Sequence, residues 1–344
     1  MRILYLIGNG FDLAQGLNTR YSDFYKARIL NKELSGDMLS KLQSSIKDDI
    51  KSWADMEKRL GEFSSEMGTI EDVDTIYDFL KAELRDYLKN EQERITMSTE
   101  EVATNREILL TPEKYLPPES KDTIRTLINR AANLEIDAIS FNYTDVFERA
   151  ISYKGRAFEI KQPAASNPVK LASVYKVHGA LDREMIMGVA DEEQITNKVL
   201  ASDIDAQEVM IKPRTTALRR DHVCSRCSYL IANADIIVMY GLSIGETDRN
   251  WWKQVTDRLN VNGNVRLIVY SYLDTSIAKE DYARISREER KVYRKLYECN
   301  GVTTLKFGRM NSQIFVCFDD RLFSGVCTHV HQSAQNMVLN TSNG

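Results

Sequence analysis

The stretch Arg-Ile-Leu-Tyr-Leu-Ile-Gly-Asn-Gly-Phe-Asp-Leu, residues 2–13, decides the fold of this chain. Its apolar run from Ile3 to Ile7 predicts a buried strand, the two glycines predict a tight turn, and a helical pattern follows. A strand, a glycine turn and a helix in this order open nucleotide-binding α/β folds. In such turns, glycine lets backbone N–H groups approach a phosphate, and the helix N-terminus adds partial positive charge.

The turn does not match either of the two common phosphate-binding motifs in full. Leu13 stands where the dinucleotide fingerprint has its third glycine, and no Gly-Lys-Ser/Thr follows, so the turn is not a P-loop. A tight turn of this kind also occurs in α/β proteins that bind no nucleotide. The loop by itself leaves both interpretations open.

Composition narrows the class of protein. The chain has 344 residues and a net charge of −4, without the basic excess of a general nucleic-acid binder. We interpret the basic stretch 212–220 as a solvated face. No apolar run is long enough to span a membrane, and the N-terminal run is too short for a signal peptide, which predicts a cytoplasmic protein. Five cysteines, an odd number, fit a reducing compartment.

The order of periodic segments predicts an α/β fold. Residues 21–130 show almost continuous helical periodicity, and short apolar runs then alternate with helical patterns such as 143–153 and 278–298. We predict a Rossmann-like, doubly wound, mostly parallel sheet built from residues 1–20 and 131–320, with 21–130 as a helical insertion after the first strand and 321–344 as a C-terminal tail. The strands expected after the first are 136–141, 158–160, 172–177, 185–189, 234–240, 265–270 and 303–307.

Small or polar residues follow four of these strands. Ligands of doubly wound sheets bind beyond the carboxyl ends of the strands, so we expect the four segments to meet at one crevice. The segments are Gly8, Asn9, Gly10, Phe11 and Asp12; Asn142, Tyr143, Thr144 and Asp145; His178 and Gly179; and Gly241, Leu242, Ser243, Gly245 and Glu246.

Three of these residues have a specific chemistry. The imidazole of His178 can pass protons near neutral pH, although it can equally hydrogen-bond a neighbouring loop. The amide of Asn142 suits a ribose hydroxyl or a bound water, or it caps a helix with Asp145 completing the cap. The charge of Asp12 opposes a phosphate, which favours a ribose contact or an N-cap.

The same segments resemble the abortive-infection AbiH family of bacterial phage-defence proteins. The resemblance covers residues 1 to about 270. It rests on the opening motif with Gly16-Leu17, Tyr21 and Asp23-Phe24, on Trp53-Ala54-Asp55-Met56-Glu57 and Ser140-Phe141-Asn142-Tyr143-Thr144, on Val177-His178-Gly179, and on Tyr240-Gly241-Leu242-Ser243 with Glu246, Asp248 and Trp251-Trp252.

More distantly, the blocks resemble sirtuins, in which a G-x-G turn, a T-x-N segment, a His-Gly and a G-x-S recur in this order. That resemblance implies NAD in the crevice, Asn142 near the nicotinamide ribose and His178 as a general base. It places the cofactor against Gly8, Asn9, Gly10, Phe11, Asp12, Arg20, Asp145, Gly241, Ser243 and Glu246. The sequence departs from sirtuins at Thr144, where they have Asp, and at Tyr21, where they have Arg.

A sirtuin-like zinc site is not expected. Cys224, Cys227 and nearby His222 supply three ligands where a tetrahedral site needs four, so we predict no metal. The leading hypothesis is a phage-defence effector that hydrolyses the N-glycosidic bond of NAD or a related nucleotide. The alternatives are a non-catalytic nucleotide sensor or toxin subunit that acts through a partner, and a toxin that targets nucleic acid. A phage trigger, a host protein partner and a homo-oligomer all stay open.

Overall fold

The computed structural model describes residues 1–160, 169–273, 276–277, 281–298, 310–319 and 322–323. Within them, one sheet has the strand order β3-β4-β2-β1-β5-β6-β7. Only the β3–β4 pair is antiparallel. The predicted mixed α/β class with a mostly parallel sheet is confirmed. The strands are β1 Arg2–Ile7, β2 Leu134–Ser140, β3 Phe158–Ile160, β4 Val169–Lys176, β5 Ile236–Tyr240, β6 Arg266–Tyr270 and β7 Ile314–Cys317.

β1 is the central strand and pairs with β2 on one side and β5 on the other. Ile3, for example, lies beside Ile136 of β2 and Ile236 of β5. Every residue of β1 after Arg2 is buried. Both faces of a parallel sheet are covered, which explains why this strand is continuously apolar and does not alternate.

Helices account for most of the chain between the strands. Seven helices separate β1 from β2, and in the described residues no helix is both long enough and apolar enough to cross a bilayer. The helices are α1 Gly10–Ala14, α2 Tyr21–Arg28, α3 Asp37–Asp48, α4 Met56–Phe63, α5 Ile70–Glu93, α6 Thr99–Leu109, α7 Pro118–Asn129, α8 Val146–Ala150, α9 Lys198–Ser202, α10 Ile204–Met210, α11 Lys212–Leu218, α12 Val223–Asn233, α13 Arg249–Val261 and α14 Tyr282–Glu298.

Helices α2 to α5 share a hydrophobic core with the segment that follows β4. Trp53 and Tyr25 are fully buried in it, and the Tyr25 hydroxyl donates to the Trp53 carbonyl over 3.1 Å. Met185 and Met187 pack into this core. The strand predicted at 185–189 does not form, because these residues pack against helices and make only isolated bridges. The helical segment is thereby fixed to residues beyond β4.

Other predicted boundaries also move. The helix expected over 143–153 is only Val146–Ala150, and the strand expected over 172–177 is β4, Val169–Lys176. The late helix begins at Tyr282, and the strand expected over 303–307 lies outside the described residues. β7 was not predicted.

The segment expected to be a tail, 321–344, contributes to the core at the two residues that the structure describes. Leu322 and Phe323 are fully buried. The ring of Phe323 lies 5.2 Å from that of Phe11 and 5.0 Å from that of Tyr240, centroid to centroid. The rest of the segment lies outside the described residues.

Candidate functional site

A cavity of about 610 Å³ lies where the carboxyl ends of β1, β2 and β5 meet, within the size range of small-molecule sites. All four strand-end segments reach its wall; we call it the strand-end cavity. Of the residues predicted to form a site, it is lined by Gly8, Asn9, Gly10, Arg20, Asn142, His178, Gly241 and Ser243.

The glycines of the turn serve a purpose that the sequence did not reveal. The N–H of Gly8 donates to the Tyr240 carbonyl and that of Gly10 to the Gly241 carbonyl, each over 2.9 Å. A Cβ on Gly10 would lie 2.4 Å from the Cα of Gly241, so two backbones touch here. The N–H groups of these two glycines are therefore already used by the neighbouring loop, and a phosphate contact of the turn would need other N–H groups.

Other donors at the cavity wall remain available. Within the described residues, the backbone N–H groups of Asn9 and Ser243 and the guanidinium of Arg20 form no intramolecular hydrogen bond. The Asn9 side chain is occupied, because it donates to the Thr19 carbonyl over 2.9 Å and accepts from the Thr19 hydroxyl over 2.6 Å. An anion in the cavity would find donors of both kinds, amide and guanidinium.

Asn142 is held by the residues beneath it. Its Nδ2 donates to the Gly8 carbonyl over 3.1 Å and to Oδ1 of Asp12 over 3.0 Å. The Thr144 hydroxyl donates to the other oxygen of Asp12 over 2.5 Å. Because both partners of Asn142 are acceptors, the amide orientation is fixed, and Oδ1 is left to accept a hydrogen bond from a ligand.

Asp12 is a buried support and does not line the cavity. Burial raises the pKa of its carboxyl to about 7, against the opposing effects of the Thr144 hydrogen bond and the Lys176 charge. Lys176 donates to the Thr144 carbonyl and pairs with Glu148 over 3.2 Å. The predicted ribose contact of Asp12 is replaced by this role under Asn142.

A buried cluster of charged side chains closes one side of the cavity. Nζ of Lys212 lies 2.8 Å from Oε2 of Glu57 and 2.8 Å from Oδ1 of Asp248. Nε2 of His178 lies 3.0 Å from the same Asp248 oxygen. The Thr247 hydroxyl donates to Glu57 over 3.2 Å. Lys212 is 4% exposed and His178 is 6% exposed, so these contacts are shielded from water.

The cluster shifts the pKa values of its members in opposite directions. Burial raises the pKa of Glu57 more than the Lys212 charge lowers it. For Asp248, the Lys212 and His178 charges outweigh burial and hold the pKa well below its usual range. The pKa of Lys212 is raised, because the Asp248 and Glu57 charges overcome burial. Asp248 is therefore an anion beside the imidazole.

This anion lies beside one nitrogen of His178. Oδ1 of Asp248 is 3.0 Å from Nε2, within ion-pair distance although not aligned as a hydrogen bond, so its negative charge favours a proton on Nε2. In the neutral imidazole, Nδ1 is then the basic nitrogen. The ring also packs edge-on against Phe141, with centroids 5.5 Å apart. His178 thus has the oriented form that a general base needs.

Four residues predicted to bind the cofactor do not line the strand-end cavity. Phe11 is fully buried with its ring against Phe147, and Asp12 lies beneath Asn142. Asp145 caps no helix with its side chain and pairs with Arg149 over 2.8 Å. Glu246 pairs with Lys58 over 2.9 Å beside a separate cavity. Each follows a strand, but the turn directs its side chain elsewhere.

The sequence analysis missed Glu57, Lys212 and Asp248 as site residues. Glu57 and Asp248 lie in motifs that carried the AbiH resemblance, and that was the available signal. Lys212 was assigned to a solvated face because of its basic neighbours, yet it is buried. Arg214, two positions on, is exposed.

Two of the cysteines, Cys224 and Cys227, belong to α12, and two of the tryptophans, Trp251 and Trp252, belong to α13. In the described ranges, no group of three His, Cys, Asp or Glu side chains could hold a metal ion. Cys227 is buried in α12, and burial raises the pKa of its thiol. Trp252 packs against Phe141, and its indole N–H donates to the Gly245 carbonyl over 2.9 Å. Trp251 is half-buried.

Comparison with known proteins identifies a family. No curated protein matches the chain. The family model described as bacteriophage abortive infection AbiH matches residues 4–271, which include all four strand-end segments, Glu57 and Lys212. The chain therefore belongs to the bacteriophage abortive infection AbiH family.

Proposed function

We propose that this AbiH protein acts in phage defence by binding NAD or a related nucleotide in the strand-end cavity and hydrolysing its N-glycosidic bond. The observation that carries the proposal is the meeting of four separate strand ends at one cavity, with His178 held by Asp248 on its wall. A general base paired with an orienting carboxylate in a cleft indicates chemistry more often than packing.

The sheet topology supports a Rossmann-like, doubly wound fold with 21–130 as an insertion. From β1 the chain adds β2 and β4 on one side and then β5, β6 and β7 on the other. The point at which the order of added strands reverses lies between β1 and β5, and doubly wound sheets bind nucleotides at such a point. The Gly8–Gly10 turn and Gly241 lie at this switch and line the cavity.

The donors at the wall suit the polar parts of a dinucleotide. Arg20 and the free amides of Asn9 and Ser243 would hold phosphate oxygens, since charged donors bind them most strongly. Oδ1 of Asn142 would accept from a ribose hydroxyl. The resemblance to sirtuins adds the same assignment for Asn142 and His178.

In the proposed reaction, Nδ1 of His178 takes a proton from water as the oxygen attacks the anomeric carbon. The glycosidic C–N bond breaks, its electron pair leaves with the base, and the sugar gains a hydroxyl. Asp248 stabilises the imidazolium that forms, because it already bears the compensating charge. General-base catalysis of this kind contributes about 10²–10⁴-fold in rate.

The test is incubation of the purified chain with NAD and separation of the products, with and without phage lysate. We expect His178→Ala to lower turnover by about 10²–10⁴-fold while the melting temperature stays close to that of the native chain. His222→Ala is the matched control, because His222 is exposed and outside the cavity. Equal turnover by both variants would refute the assignment of His178.

One observation favours a second candidate, a nucleotide sensor that acts through a partner. Tyr21, Asp55 and Glu57 of the helical segment form part of the cavity wall, so a bound nucleotide would touch that segment as well as the sheet. Saturable nucleotide binding without any product, and phage defence that survives His178→Ala, would favour the sensor. Metal-dependent cleavage of DNA or RNA by the pure chain would instead favour a toxin that targets nucleic acid.

A further inference from the structure

A second cavity of about 360 Å³ shares a wall with the first. His178, Thr247 and Asp248 line both, and the remaining lining comes mainly from α11, α12 and α13. We call it the three-helix cavity. Lys212, the first residue of α11, also belongs to its wall. The buried charge cluster therefore separates two spaces, and nothing in the proposed reaction uses the second one.

The three-helix cavity presents mixed apolar and amide chemistry. Trp251 and Gln254 of α13 line it together with Pro213 and Ala217 of α11. Its charges are balanced internally, because Lys212 pairs with Asp248, and Asp221 pairs with Arg219. A half-buried indole, a side-chain amide and aliphatic groups without net charge suit a neutral, flat ring that can also hydrogen-bond.

The shared wall is held together by its own contacts. Oδ1 of Asp248 lies 3.0 Å from Nε2 of His178 and 2.8 Å from Nζ of Lys212, and the oxygen and the imidazole nitrogen are both shielded from solvent. The polar group that a ligand would meet is the side-chain amide of Gln254, which both donates and accepts hydrogen bonds. A ligand with a donor and an acceptor side by side, as in a primary carboxamide or an amino-heterocycle, would match this amide.

We propose that the three-helix cavity is a second small-molecule site, which binds a neutral heteroaromatic ring carrying a carboxamide or an amino group. The base released from NAD belongs to this class. Only the identification of the ring with that base rests on the proposed function. Since the ring would lie against α11 and Asp248, its binding changes the affinity of the strand-end cavity for nucleotide. Nucleotide binding then changes the affinity of the three-helix cavity for the ring by the same factor.

Isothermal titration of the full chain with nicotinamide and, separately, with adenine tests the site and distinguishes the two kinds of ring. Ala217→Trp fills the cavity, and we expect it to weaken binding at least about tenfold, which corresponds to about 1.4 kcal/mol. Leu218→Trp is the matched control, because Leu218 is the next residue of the same helix and is exposed as Ala217 is, but it is not in the lining. If Ala217→Trp does not fold, Gln254→Leu replaces it.

The outcomes separate this proposal from the proposed function. Asn142→Ala alters only the strand-end cavity, so it should keep binding of the ring while losing nucleotide turnover. Binding of a ring without NAD hydrolysis would support the second site and count against the hydrolase. Absence of saturable binding of both probes in the millimolar range, or equal binding by Ala217→Trp and Leu218→Trp, would overturn the second site whatever the turnover.

Discussion

Replacing Lys212 with methionine tests the buried charge cluster most directly. Methionine keeps the unbranched chain but leaves Glu57 and Asp248 buried without their shared cation. At 2.8 Å and an effective dielectric constant of about 20, each pair contributes on the order of 6 kcal/mol of attraction, much of it offset by the desolvation of the ions. Breaking a buried pair by removing one partner costs about 3–5 kcal/mol.

The expected loss is measurable as a melting shift. For a chain of this length the entropy of unfolding is about 0.7 kcal/mol/K, so 3–5 kcal/mol lowers the melting temperature by about 4–7 °C. Differential scanning fluorimetry at pH 8 measures it. Lys253→Met is the matched control, because Lys253 makes an exposed ion pair within α13 and such pairs contribute little.

The pH dependence has a defined sign. Burial raises the pKa of Glu57, and removing Lys212 takes away the main opposing charge, so the folded chain binds a proton at Glu57 more readily than the unfolded chain. Stability then falls as pH rises, and the deficit is larger at pH 8 than at pH 5. Adding Glu57→Gln should recover part of the loss, because it removes one unpaired charge. If Lys212→Met is as stable as the native chain at pH 8, or loses the same stability at pH 5 and pH 8, the cluster as described is refuted.

Two further perturbations test the surroundings of the site. Gly10→Ala should destabilise the chain by at least about 2 kcal/mol, because the new Cβ would lie 2.4 Å from the Cα of Gly241. Gly263→Ala is the control and should be nearly neutral, because the space around Gly263 is open. Thermal melts of both variants measure the difference. Asp12→Asn should make the chain more stable at pH 8, by on the order of 4 kcal/mol at most, because the carboxyl has a pKa of about 7 when folded and about 4 when unfolded. The stability of the native chain should therefore fall as pH rises from 4 to 7, whereas the stability of Asp12→Asn should not show this fall. If the melting temperatures of the two proteins change with pH in the same way, the burial of Asp12 is contradicted.

The sheet and its strand ends were predictable because their signals are local. A continuous apolar run such as Ile3 to Ile7 indicates a strand covered on both faces, and the residue after such a strand must lie at the sheet edge. That reasoning placed Asn142 and His178 on one cavity wall. It could not tell where a side chain points within a turn, which is why Phe11 and Asp12 were assigned to the cavity and lie beneath it.

The charge cluster was not predictable from local pattern. Glu57 and Lys212 are 155 positions apart, and periodicity contains no information about which distant carboxylate neutralises a buried lysine. The basic residues after Lys212 suggested a solvated face, and Arg214 and Arg220 are exposed, whereas Lys212 itself is buried. Gly8 and Gly10 were interpreted as phosphate-binding glycines for a similar reason. The loop against which they pack follows β5, far along the chain, so the sequence around them gives no sign of this contact.

Lys212 connects the helical segment between β1 and β2 with the loop that follows β5. Glu57 comes from α4, in the helical segment between β1 and β2, whereas Asp248 follows β5 and touches His178. One ammonium group bridges the two carboxylates, so any displacement of α4 removes a countercharge from Lys212 and leaves its whole charge to Asp248. The carboxylate that contacts His178 would then be more fully neutralised, so its attraction for the imidazole would weaken. Nucleotide binding that shifts the helical segment is therefore expected to loosen the position of His178 without touching it.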